Sequence, residues 1–315
     1  DDEEWVSSFR ELDEDLFEGA WPSCVAVGPG GDVYVTDELR NLVSVFDRDG
    51  NFIRKFGESG TGPGQFDRPS GIIFAADGSM YVSDTMNHRI QRLTSDGELI
   101  HTWGDQGTGE GQFRSPWGVN LDGEGNVFVA DHRNHRIQKF TTDGKFLGKW
   151  GSRGSGDGEF ESPWGITVDE LGDVYVADWG NDRVQKFNSG GEFMFAFGSS
   201  GDGDGQFNRP TDVAVDLDGD IYVADWGNNR VQLFNSEPRF VQKFLGEATL
   251  SQMARDYMMT NASPNRLRDM AKLEPQRALR RPKSVVISED GRMYVTDTDS
   301  YRVQVYQKEV IPLDA

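Results

Sequence analysis

Cysteine and histidine are nearly missing: Cys24 stands alone and there are four histidines in 315 residues. A single thiol excludes an internal disulfide and a cysteine-based zinc site. No run of 18 or more apolar residues occurs, so no apolar membrane-spanning helix is expected. Basic residues are also short, with 32 Lys and Arg against 53 Asp and Glu, a net charge of −21. Nucleic acid is gripped by Lys and Arg that displace its counterions, so this balance disfavours it as a partner. The start, Asp1-Asp2-Glu3-Glu4, has neither an initiator Met nor a signal-like apolar segment, which suggests a trimmed chain.

What is present is enough for a folded core, with 36% hydrophobic residues and 38 glycines. The charge is uneven. Residues 1–19 carry nine acids and one Arg, whereas residues 247–283 carry eight bases and four acids.

The chain repeats itself. Tyr81-Val82-Ser83-Asp84 runs on to Asn87-His88-Arg89-Ile90-Gln91, and Phe128-Val129-Ala130-Asp131 to Asn134-His135-Arg136-Ile137-Gln138. Two more copies end in Asp178 and Asp225, with Arg183 and Arg230 at the same offset, and weaker copies contain Asp37 and Asp297. Asp37, Asp84, Asp131, Asp178 and Asp225 are 47 residues apart, and Asp297 follows after 72, one repeat plus 25. Within a copy, Pro116-Trp117-Gly118 opens a strand, Val127–Asp131 is a second, Arg136–Phe140 a third, and Asp143-Gly144 turns the chain into a fourth. Short apolar alternations joined by Asp-Gly turns are antiparallel hairpins. Four strands per repeat, six times over, predict one all-β domain spanning 1–315, a six-bladed β-propeller. Trp5–Phe9 has the aromatic spacing of Phe52–Phe56 and is expected to complete the last blade, protecting a sheet edge. Residues 247–280 are rich in helix formers at helical spacing, so a short helical insertion is expected between blades 5 and 6.

The Pro-x-Gly, Val-Tyr-Val-Ala-Asp and Asn-x-Arg-Val-Gln-Lys-Phe blocks resemble the NHL-repeat family over roughly residues 20–306. Blade 1 departs most, with Leu42 where the other copies have Arg. The resemblance implies a propeller that binds partners on one face; some relatives bind RNA there, and metal-dependent six-bladed relatives gather histidines around the axis. His88 and His135 share one repeat position without a third equivalent, so no metal site is expected. The Gly-rich links such as Gly104–Phe113 run into Pro and a strand, not the helix a phosphate loop needs, so no cofactor is expected.

Asp/Arg pairs present in most copies read as scaffolding, because a site is built by asymmetry. The asymmetric positions follow the Pro of the first strand, among them Trp117, Trp164 and Asp212, and the Asp of the second, among them His132-Arg133, Trp179 and Trp226. Both sets point to one face, the face of the insertion. They are expected to form the ligand-binding surface for a small molecule or protein, with aromatic anchors beside charge. Packing of each Trp between blades is the competing reading. The leading functional expectation is a binding or scaffold module. The alternative is a lyase- or hydrolase-type enzyme under the insertion, with Asp212, His132 and Arg133 as acid, base or charge-holding groups.

Overall fold

A computed structural model describes residues 5–9 as a backbone strand, and residues 20–246 and 278–307 in full. Six four-stranded antiparallel sheets stand around one axis. After β1 (Trp5–Phe9), blade 1 is β2 (Pro22–Val27), β3 (Val33–Asp37), β4 (Leu42–Phe46) and β5 (Phe52–Phe56). Blade 2 is β6 (Pro69–Phe74), β7 (Met80–Asp84), β8 (Arg89–Leu93) and β9 (Leu99–Trp103). Blade 3 is β10 (Pro116–Leu121), β11 (Val127–Asp131), β12 (Arg136–Phe140) and β13 (Phe146–Trp150). Blade 4 is β14 (Pro163–Val168), β15 (Val174–Asp178), β16 (Arg183–Phe187) and β17 (Phe193–Phe197). Blade 5 is β18 (Pro210–Val215), β19 (Ile221–Asp225), β20 (Arg230–Phe234) and β21 (Phe240–Phe244). Blade 6 is β22 (Pro282–Ile287), β23 (Arg292–Asp297) and β24 (Arg302–Gln307), and β1 adds its outer strand, with Phe9 opposite Val303.

Burial follows distance from the axis. The second strands of blades 1 to 5 are buried throughout, as in Val174–Asp178, because each lies between two neighbouring blades. The outer strands alternate, with Leu147 exposed between half-buried Phe146 and Gly148. The core is a set of interblade seams. In the seam of blades 2 and 3, Tyr81, Ile90, Phe113, Val129 and Phe140 pack together. Phe113 ends its link as a plug, and Gly104, at φ +104°, lets the ring in where a Cβ would stand 2.6 Å from it.

The repeated aspartate is the hub of each blade. Asp131 Oδ1 accepts the Arg114 N–H at 2.8 Å, and Oδ2 accepts Asn134 Nδ2 at 2.9 Å, Arg136 Nε at 2.7 Å and Gln138 Nε2 at 3.0 Å. The Arg136 guanidinium then donates to the carbonyls of Thr108, Gly109 and Gln112, stapling the link. The same set recurs around Asp84, Asp178 and Asp225. In blade 1, where Leu42 replaces the Arg, Asp37 Oδ1 turns to the N–H groups of Trp21, Leu39 and Arg40. These aspartates therefore hold the scaffold.

The expected helical insertion falls on residues 247–277, outside the described residues. Residues 278–280, the end of that expectation, are not helical. The Leu279 N–H donates to the Leu245 carbonyl at 2.7 Å, and Leu279 is buried at the plug position that Phe113 holds in its blade. The helices among the described residues are five single 3-10 turns, each following the hub aspartate of its blade. None is long and apolar enough to cross a membrane.

Candidate functional site

Strand pairing fixes the face. Pro116 lies opposite Asp131 and Pro210 opposite Asp225, so first strands begin where second strands end. The links between blades and the 3-10 turns thus share one end of the ring, the end at which Gly246 and Ala278 also lie.

The turns are clasped from blade to blade. In blades 1 to 5 each turn closes on a residue in the left-handed region, at φ +53° to +59° for Asn41, His88, His135, Asp182 and Asn229. That side chain accepts a backbone N–H from the next blade, on the residue before its opening Pro. His88 Nδ1 takes Ser115 N–H at 3.1 Å, His135 Nδ1 takes Ser162 N–H at 3.0 Å, and Asn229 Oδ1 takes Arg281 N–H at 2.9 Å. Two of the four histidines are therefore interchangeable with Asn and Asp as clasps. Among the described residues no three His, Cys, Asp or Glu side chains lie close enough together to hold a metal ion.

Of the sequence-predicted residues, three tryptophans form a ladder across blades 3 and 4. Trp117 and Trp164 have ring centroids 5.0 Å apart, and Trp164 and Trp179 5.5 Å. Trp117 is buried, at 5% exposure, whereas Trp164 and Trp179 are half-buried. The His132 ring meets Trp164 edge-on at 5.0 Å, and its Nδ1–H donates to the Pro163 carbonyl. Burial pushes the His132 imidazole down to about 4, so it is neutral at pH 7. Arg209 lies over Trp179 at 4.8 Å, and Arg281 over Trp226 at 5.0 Å. Trp226 thus stands on the next blade with its own arginine, beside the ladder and not in it.

Arg133 is exposed on this face, and its backbone N–H donates to the carbonyl of Arg114, also exposed. His88 sits near both; burial first, then Arg133, then Arg114 lower its pKa. The guanidinium groups of Arg68, Arg114, Arg133, Arg209 and Arg280 have no carboxylate partner among the described residues. Lys283 differs: its Nζ is 2.6 Å from Glu38. Arg114 escaped the sequence reading, although its place two residues before Pro116 is the signal that would have found it.

Asp212 lies elsewhere, inside the axial channel below the rim. It belongs to a ring of equivalent positions: Cys24, Gly71, Gly118, Gly165, Asp212 and Ser284. The glycines are forced by close approach, since a Cβ on Gly71 would be 2.5 Å from the Trp117 carbonyl and one on Gly118 2.6 Å from that of Trp164. The other half-ring is polar. Cys24 Sγ is 3.3 Å from Ser284 Oγ, and Ser284 in turn hydrogen-bonds Asp212. The Asp212 carboxylate also accepts the N–H groups of Val213 at 3.0 Å and Val285 at 3.1 Å. Burial pushes Asp212 up to about 7, and burial together with Asp212 pushes the Cys24 thiol up to about 12.

The NHL-repeat model matches residues 113–140, 160–187 and 207–234, and a six-bladed β-propeller model matches residues 28–103. The RING finger protein nhl-1 of Caenorhabditis elegans is 42% identical over 52 residues, 16% of this chain and 5% of that protein. The chain thus matches only about a twentieth of that relative's length. Among solved structures, the virginiamycin B lyase of Staphylococcus aureus with quinupristin superposes with a TM-score of 0.60 at 15% identity, covering 93% of this chain and 83% of that one. A gluconolactonase of Xanthomonas campestris gives 0.64 at 14% identity over 92% and 86%. A chain of the nidogen/laminin complex gives 0.57 at 18% identity over 76% and 91%. These likenesses, at 14–18% identity, show a shared fold. With the repeats matched, the ring closed by β1 and an aspartate at the same strand end of every blade, the chain is a six-bladed β-propeller that carries NHL repeats.

Proposed function

We propose that this propeller is a binding module whose link-bearing face recognises a protein partner or ligand. One observation carries the reading: five arginines with no carboxylate partner among the described residues lie at one face of a chain with net charge −21. In a chain so rich in acids, such guanidinium groups at one face favour an anionic surface arriving from outside. Trp164, Trp179, Trp226, His132 and Arg133 are the contact residues of this reading, with Trp117 packed against Trp164 behind them; Asp212 stands apart in the channel. Half-buried aromatics under arginine are the composition of an interface hot spot. The net charge argues for a protein or small anion over nucleic acid.

The enzyme reading draws on one observation, a carboxyl in the channel that titrates near pH 7. Against it, His132 packs on Trp164 of blade 4, not on Asp212 of blade 5.

The test compares proteins recovered from a lysate by wild type, by the double variant Arg114→Glu/Arg133→Glu, by Trp179→Ala/Trp226→Ala, and by Leu171→Ser/Leu217→Ser on the opposite face. Partners should be lost from the first two variants and kept by the third, with unchanged thermal unfolding. Truncated anchors should weaken a purified partner by about 1–4 kcal/mol. Loss of partners only from the Leu171/Leu217 variant overturns the reading.

A further inference from the structure

Beneath the polar half-ring the channel opens into a cavity of about 160 Å³. Its walls are the inner strands, with Ile72, Val119, Ile166, Val213, Val285 and Ile287 among the lining residues, and Asp212 and Cys24 at its rim. Three of six blades fill the Asp212 position with Gly and two more with Cys or Ser, so the repeat does not ask for an acid there. Asp212 is only 8% exposed, and its neighbours among the described residues supply hydrogen bonds but no positive charge. Lys283 on the adjacent inner strand is held by Glu38. A buried carboxylate without a cation is costly, and it is relieved either by a proton or by a cation brought in.

We propose that the axial cavity is a second site, separate from the rim, for a small organic ammonium ion whose charge pairs with Asp212 and whose apolar body fills the chamber. The volume sets the size: a cavity of about 150 Å³ accommodates benzene, so the body has about six or seven carbons. The ammonium takes the place of the acid's proton. Above pH 7 Asp212 presents a carboxylate ready to pair; below it the proton competes. Of the groups packed around Asp212 from the neighbouring strands, Cys24 on β2 keeps its proton, its thiol pushed up to about 12; β14 offers Gly165, and β22 offers Ser284 and Lys283, the latter paired with Glu38.

The experiment is calorimetric titration of the whole chain with cyclohexylammonium chloride, and with cyclohexanol as the uncharged isostere, at pH 6 and pH 8. Wild type should bind cyclohexylammonium at one site, about tenfold more tightly at pH 8 than at pH 6, with about one proton released into the buffer at pH 6 and almost none at pH 8. Cyclohexanol should bind at least tenfold more weakly at pH 8, and Asp212→Asn should bind cyclohexylammonium at least tenfold more weakly. The proposal is overturned if wild type gives no saturable binding, if affinity is the same at both pH values, or if cyclohexanol or the Asn variant binds as well. The pH comparison uses wild type alone, so it decides the matter even if the variant fails to fold.

Discussion

Replacing Asp212 with Asn changes how stability depends on pH, and the change can be calculated. In the folded ring the carboxyl titrates at about 7 against its ordinary 3.8. The native state therefore holds this proton more tightly than the unfolded chain. The stabilisation is fully present below about pH 4, is lost as pH rises toward 7, and is flat above. One pKa unit is worth about 1.4 kcal/mol, so the whole swing is roughly 4 kcal/mol. Between pH 5 and pH 8 wild type should lose about 2.5 kcal/mol through this residue. The variant does not titrate there. It also pays a constant cost, because an amide nitrogen cannot accept the N–H of Val213 or Val285; leaving one of these unpaired costs about 1–3 kcal/mol at every pH. The informative quantity is thus the difference between the two proteins as a function of pH, which cancels the other acids. Scanning calorimetry should show the wild-type midpoint falling relative to the variant by about 5 °C from pH 5 to pH 8, at roughly 2 °C per kcal/mol for a domain this large. Parallel pH profiles would refute the assignment of a buried, protonated Asp212.

Three further outcomes are expected. Deleting residues 1–9 removes β1 and bares the edge of β24, and should lower the melting temperature by several degrees; an unchanged thermogram counts against ring closure. His88→Asn should be neutral within about 1 kcal/mol, since Asn does the same job in other blades, whereas His88→Leu orphans the Ser115 N–H and should cost about 1–3 kcal/mol by urea titration; equal effects would remove the clasp. Arg136→Leu leaves Asp131 without its charge partner and should cost about 3–5 kcal/mol in the same assay, a loss under about 1 kcal/mol being incompatible with a stapling role.

The spacing of the hub aspartates was enough to read the blade count, the Pro-x-Gly and Asp-Gly signals gave the strand order, and the aromatic match to Phe52–Phe56 gave the pairing of Trp5–Phe9 with the last blade. Each follows from periodicity, and a repeat protein exposes its periodicity directly. The site was legible only to the level of a face. Trp117 and Trp164 share one repeat offset, yet one is buried and the other half-exposed, because their exposure depends on what the adjacent blade sets against them. Asp212 shares that region of the repeat too, but it faces the axis. Lys283, on the neighbouring inner strand, is bound to Glu38 instead, a contact between residues 245 positions apart. The clasping role of His88 became visible only through the neighbouring blade's N–H.

The pairing of β1 with β24 also bears on how the ring is made. A strand near the beginning of the chain must wait for one near its end before the last blade exists. Five blades can assemble in order from local hairpins as synthesis proceeds, but the final seam is a contact of very high sequence separation, the kind that slows folding. Until it forms, the growing arc has two open edges, the free side of β24 and the inner face of blade 1. During that interval the molecule is most exposed to pairing with another copy of itself.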